Sequence, residues 1–222
     1  MIDLQVPGLL IINGNCGEGK SNLIKFLIRK YKNKFDYGVV FTNTSFDVND
    51  SSAIDYLPKE FIHSEYKEEI LEGLMNIQKD VVERGGLNEA FVIFDDCIDK
   101  KIFASTLFTR LATQFRHYHI TPIISTQYPN LVPPTLRSNI MSTVIFKSTS
   151  KRAIDALWES YGQDYSKEDF RKFLCKGTGD YNFIYYNKKE KKEKQYQILK
   201  VPNQNKKFML KYNTTLRTNG SS

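Results

Sequence analysis

Residues 14–21 of this 222-residue chain read Gly-Asn-Cys-Gly-Glu-Gly-Lys-Ser, and the apolar run Gly-Leu-Leu-Ile-Ile-Asn (8–13) leads straight into them. No other stretch limits the possible folds so severely. The run before it has the character of a strand buried on both faces. The segment after it, 21–31, carries Leu23, Phe26, Leu27 and Lys30 at helical spacing. A loop between such a strand and such a helix, matching G-x-x-x-x-G-K-[ST] in full, is built for phosphate. Its glycines let backbone N–H groups turn inward around a β-phosphate, and the helix that follows presents its positive end. Gly14, Asn15, Cys16, Gly17, Glu18, Gly19, Lys20, Ser21 and Asn22 therefore form the expected nucleotide-binding set. Lys20 reaches the β- and γ-phosphates, and the Ser21 hydroxyl is a ligand to Mg²⁺.

Strands and helices alternate through the rest of the chain, which argues for a mostly parallel sheet covered on both faces, an α/β fold. The expected strands are 8–13, 37–43, 90–97, 121–127 and 142–148. Helices are expected at 21–31, at 65–86 (stopped by Gly85-Gly86) and over roughly 101–117. Two short helices in 150–175 precede a hairpin of 181–187 and 194–201. With no internal repeat and no clear linker, residues 1–212 read as a single domain and 213–222 as a flexible tail.

The third strand ends Phe-Val-Ile-Phe-Asp95-Asp96, so two carboxylates emerge at the carboxyl edge, where α/β sheets bind ligands. After a phosphate loop, this pattern assigns Asp95 to Mg²⁺ and Asp96 to the attacking water, as base or orienter. The competing reading is that one of them caps the next helix. The fourth strand ends Ser125-Thr126-Gln127. Gln127 at its tip either hydrogen-bonds the γ-phosphate or water, or is simply solvated. ATP is the expected nucleotide.

Composition narrows the setting. No run approaches the roughly 20 apolar residues of a membrane span, and the N-terminus lacks a basic segment and a small-residue cleavage pattern. A soluble, intracellular protein is expected. Three scattered cysteines and three histidines make neither a disulfide framework nor a paired zinc site. The net charge of +7 concentrates in 187–200 and at Lys206, Lys207 and Lys211. Such clusters suit a phosphate backbone, but equally a solvated hairpin.

The ordered set GNCGEGKS, VIFDD and TRLATQFRHYHITPIISTQYPNLVPPTLRSNI resembles the genome-packaging ATPases of large DNA viruses, the poxvirus type included, within the HerA/FtsK superfamily of DNA-translocating motors. The resemblance covers roughly residues 8–147, and its most specific part is RHYHITPIISTQ. It implies a RecA-like sheet in which the fourth strand lies between the first and third, bringing Gln127 between Lys20 and Asp95. It implies a ring, commonly hexameric, with ATP at subunit interfaces and a neighbour's arginine completing each site. Arg116 is the first candidate for that finger, Arg137 the second and Arg110 the third. The implied activity is ATP hydrolysis coupled to translocation of double-stranded DNA, independent of sequence, into a capsid. A capsid or vertex protein is the further partner, and the host assembly site or the virion the location. Another P-loop ATPase or a nucleotide kinase that does not act on DNA, or an assembly protein with a relic loop, remains the alternative.

Overall fold

The computed structural model describes residues 2–43, 55–203 and 208–218. The strands are β1 (Leu10–Asn13), β2 (Tyr37–Thr42), β3 (Ile62–His63), β4 (Ala90–Asp95), β5 (Ile120–Thr126), β6 (Ser142–Ile145), β7 (Asn182–Asn187) and β8 (Tyr196–Lys200). The helices are α1 (Lys20–Lys30), α2 (Glu68–Glu83), α3 (Lys100–Ala104), α4 (Thr106–Gln114), α5 (Pro134–Asn139), α6 (Lys151–Tyr161) and α7 (Lys167–Gly177).

All eight strands share one sheet in the order β3-β2-β4-β5-β1-β6-β7-β8. The pairings among β1 to β6 are parallel, and β7 joins β6 antiparallel, so the C-terminal hairpin extends the sheet. The fourth expected strand, β5, does lie between β1 and β4. Alternating side chains feed two cores. Ala90, Val92 and Phe94 of β4 pack with α2 and α4 through Leu71, Met75, Phe108 and Leu111, whereas Phe91 and Ile93 face Leu23, Leu27 and Ile28 of α1. Both faces of the central strands are dry, which is why they read as continuous apolar runs. Each such fully buried side chain stabilises the fold by about 1.5–3 kcal/mol.

Several local features differ from expectation. The helix foreseen over 101–117 is broken: Ser105 is extended (φ −69°, ψ 145°), and its hydroxyl accepts from the Phe108 N–H. A serine that caps a new turn in this way ends α3 and starts α4. The two-residue edge strand β3 and the short helix α5 lie outside the expected strands and helices. Gly85 adopts φ +72°, and the N–H groups of Gly85 and Gly86 close on Val82 and Val81, the expected glycine stop of α2.

The C-terminal segment is a correction. The 213–222 stretch reads as loose in sequence, yet Asn213 and the Arg217 guanidinium bond the buried Asp36 carboxylate, and the Asn88 amide donates to the Thr215 carbonyl. The Leu87 N–H donates to the Arg217 carbonyl at 2.7 Å. A buried carboxylate has to be paired, and in this fold the tail supplies partners beside the Glu89 N–H, which donates to Asp36 Oδ2 at 2.9 Å. The ordered contacts thus run at least to Arg217. Lys206 and Lys207 of the basic cluster, and the last four residues, lie outside the described residues.

Candidate nucleotide site

β1 delivers the chain to the carboxyl edge of the sheet, where the loop turns back into α1. Gly14 cannot carry a side chain, because a Cβ there would lie 2.5 Å from the Phe146 Cβ. Gly17 (φ +79°) and Gly19 (φ +102°) occupy left-handed conformations that favour glycine. Gly19 caps α1 with no side-chain hydrogen bond, and no acidic residue stands in the first turn. The unpaired N–H groups and positive end of the helix are therefore left for an anion. Lys20 is only 5% exposed. Its ammonium donates to the Gly14 and Asn15 carbonyls at 3.0 and 3.1 Å and pairs with Asp96 Oδ2 at 3.0 Å. Cys16 and Asn22 are exposed beside the loop.

The acidic pair follows from strand alternation. Odd positions of β4 face α1, so Asp95, at the end of the strand, is aimed at the first turn of that helix. Ser21 Oγ donates to Asp95 Oδ2 at 2.8 Å. On the neighbouring strand Ser125 is in register with Asp95, and its Oγ donates to Oδ1 at 2.5 Å. Burial pushes the Asp95 carboxyl above the ordinary carboxylate range. The hydroxyls of Ser125 and Ser21 oppose that push, the Asp96 charge reinforces it and Lys20 opposes it. A buried carboxylate beside a hydroxyl supplies hard oxygen donors only. This donor set fits Mg²⁺, which uses one or two protein oxygens and completes its shell with water and phosphate.

Asp96 turns out of the strand at φ +51°, with its N–H held by the Ser125 carbonyl at 3.2 Å. One of its oxygens, Oδ2, meets both Lys20 and, at 3.2 Å, Gln127 Nε2. Asn43, at the end of β2, donates from Nδ2 to the Asp96 carbonyl at 3.1 Å. Neither Asp95 nor Asp96 caps the next helix: Asp99 does, accepting from the Ile102 N–H at 2.9 Å.

Lys20, Ser21, Asp95, Asp96 and Gln127 thus converge from three elements, α1 and the ends of β4 and β5. Ser125 and Asn43 belong to the same cluster and were not singled out in the sequence. Ser125 is detectable only through its register opposite Asp95. The arginines lie elsewhere in the chain. Arg116 is exposed between α4 and the first residue of β5, at the sheet edge opposite the phosphate loop, with its guanidinium 4.7 Å from the Phe115 ring centroid. Arg137 donates to Ser160 Oγ at 2.8 Å. Arg110 lies on α4 with a buried Nε that has no hydrogen-bond partner among the described residues. The Cys97 thiol donates to the Phe41 carbonyl, and burial pushes it up to about 12, so it stays protonated. No described helix is long and apolar enough to cross a membrane.

The uncharacterized protein 075L of Invertebrate iridescent virus 6 is 33% identical over 181 residues, which is 79% of this chain and 69% of that protein. Protein 088R of Invertebrate iridescent virus 3 is 26% identical over 178 residues, 79% of this chain and 67% of that one. Among solved structures, the genome packaging NTPase B204 of Sulfolobus turreted icosahedral virus 2, in complex with ATP-γS, superposes with a TM-score of 0.64 at 17% identity. The match covers 89% of this chain and 98% of that one. The conjugation coupling protein TcpA of pCW3 gives a TM-score of 0.60 at 14% identity, over 85% of this chain and 60% of TcpA. At such identities these two establish the fold, a P-loop NTPase sheet. Residues 4–176 match the family described as Poxvirus A32 protein, and the chain belongs to that family.

Proposed function

We propose that the chain is an ATP-driven motor that moves double-stranded DNA into a viral capsid. The observation that carries the enzymatic half is the meeting of Lys20 and Gln127 on one oxygen of Asp96, beside the Ser21–Asp95 pair. Triphosphate seated in the loop competes with Asp96 for the Lys20 ammonium. That competition frees the Asp96 carboxylate to orient a water and take its proton, while Gln127 holds the water or the γ-phosphate. The bond from the γ-phosphorus to its bridging oxygen breaks, giving ADP and phosphate, and Lys20 neutralises charge on the transferred group. Mg²⁺, held by Ser21 and Asp95, supplies further neutralisation of the phosphates. A kinase would need an acceptor pocket opposite Asp96, whereas among the described residues the Asp96 carboxylate is met by Lys20 and Gln127.

The DNA half is supported by family membership, by the fold shared with the genome packaging NTPase B204 and by charge. The lysines of the β7–β8 hairpin are exposed point charges suited to phosphates, with no base-reading motif among them. Ring assembly, with Arg116 completing a neighbour's site, belongs to this proposal, as does a capsid or vertex partner. The test is steady-state ATPase activity with and without duplex DNA. Turnover should rise on adding duplex of any sequence, and DNA binding should weaken steeply between low and physiological salt as counterion release loses its drive. Turnover that stays flat across added duplex, at protein concentrations where oligomers form, refutes the DNA half and leaves an ATPase with a solvated basic hairpin.

A further inference from the structure

The strand order leaves two sides to the phosphate loop. β5 and β4, carrying Gln127, Asp95 and Asp96, lie on one side of β1, and β6, β7 and β8 lie on the other. A nucleotide whose γ-phosphate faces Asp96 must therefore lead its base toward β7 and β8. On that side the structure has an open cleft of about 400 Å³ lined by Asn22, Tyr181, Lys200, Val201, Pro202 and Asn203. Its size falls within the range of small-ligand pockets. β7 begins and β8 ends at the same sheet edge as the loop, because Asn182 pairs with Lys200 and Ile184 with Ile145.

Tyr181 stands out in this cleft. It has φ +62°, directly after Asp180 at φ +50°. Two successive non-glycine residues in the left-handed region are uncommon, and a bulky aromatic there is a true outlier. Backbone of this kind persists where the surroundings hold it, and it clusters at ligand sites. Here Val201 N–H holds the Tyr181 carbonyl at 3.0 Å. The ring lies against the loop itself: a Cβ on Gly19 would stand 3.0 Å from Tyr181 Cδ1 and 3.4 Å from Val201 Cγ2. Yet Tyr181 is 52% exposed. An aromatic face is thus presented next to the helix N-terminus that receives the phosphates, in a cleft otherwise bounded by two amides, a lysine, a valine and a proline.

We infer that this cleft takes the base and ribose of the nucleotide, with the base stacked on Tyr181. The inference rests on the nucleotide reading of the phosphate loop and extends it to a residue outside the loop motif. Stacking tolerates any flat heterocycle, so Tyr181 supplies affinity for the base, while Asn22 and Asn203 are the side-chain amides placed to hydrogen-bond its edge or the ribose.

The test compares binding of Mg·ATP-γS with binding of Mg·tripolyphosphate, which has the phosphates and no base, by calorimetry. The variant Tyr181→Gly suits the left-handed backbone and should fold. It should bind Mg·ATP-γS about five- to a hundredfold more weakly, with tripolyphosphate affinity unchanged within about twofold. Tyr181→Trp should keep nucleotide affinity, and its added indole fluorescence should be quenched by Mg·ATP-γS and not by tripolyphosphate. Unchanged Mg·ATP-γS affinity in Tyr181→Gly, or an equal loss for both ligands, overturns the stacking role. A wild-type protein that binds neither ligand overturns the nucleotide reading beneath it, an outcome distinct from loss of the base contribution alone.

Discussion

Replacing Ser125 by Ala removes one hydroxyl and keeps the strand. Ser125 is fully buried, as is the Asp95 carboxylate that receives its hydrogen bond at 2.5 Å. A hydrogen bond to a charged group is worth about 1.5–3 kcal/mol, and a buried acceptor left unmade forfeits it without compensation from water. For a chain of this size each kcal/mol moves Tm by about 2–4 °C, so Ser125→Ala should lower Tm by about 3–12 °C at neutral pH. The pH dependence carries a sign. Burial holds the Asp95 carboxyl above its ordinary range, so the folded state takes up this proton more readily than the unfolded chain does. Asp95 ionisation therefore works against the fold: stability from this group is greatest below the unfolded value and is lost as pH rises through the folded one. Removing Ser125 raises the folded value further. The penalty should be full where wild-type Asp95 is ionised and shrink as acid protonates it. Thermal or urea unfolding of both proteins across pH reads this directly. A difference below about 0.5 kcal/mol at pH 7, the usual scatter of surface substitutions, or one that is equal at every pH, would show that Ser125 does not support a charged Asp95.

Lys20→Ala should abolish tight Mg·ATP binding, whereas Asp96→Asn should retain binding and lose turnover; equal weakening of binding in both would undo that division of roles. Arg116→Ala should fold and bind nucleotide but hydrolyse poorly, and mixing it with Lys20→Ala protein should restore some activity at interfaces that pair an intact site with an intact arginine. Recovery seen with Arg137→Ala in place of Arg116→Ala would move the finger to Arg137. Glu89, half-buried just before β4, has its carboxyl raised to about 7, chiefly by burial. It should make the fold less stable as pH rises from the ordinary carboxylate range to about 7, and Glu89→Gln should flatten that slope in a stability-versus-pH series.

The site was legible where chemistry demands fixed residue types at short spacing. The loop from Gly14 to Ser21 and the pair Asp95-Asp96 each declare themselves within a few residues. The central strands were legible because burial on both faces writes an apolar run. What escaped depends on partners distant in sequence. Ser125 matters only because β5 sets it opposite Asp95, and Asn43 only because β2 ends beside Asp96. The break at Ser105 hides in a segment whose apolar pattern continues through it, since one capping serine leaves the periodicity intact. The Arg217–Asp36 contact spans the sheet's far edge, and a polar C-terminal stretch gives no local sign that a buried carboxylate awaits it.

The position of β1 also sets a timetable. The strand is paired on both sides, Leu10 with Ile123 of β5 and with Ser142 of β6, and with no earlier strand. Loop closure over more than a hundred residues must therefore come before β1 gains either neighbour. On a ribosome adding roughly 5–20 residues per second, that wait lasts on the order of 6–30 seconds. Throughout it the run Leu9–Ile12 stays without its sheet partners, an apolar segment open to chaperones or to other nascent chains. The phosphate-binding motif is thus synthesised well before the two strands that flank it, and it can take shape only after them.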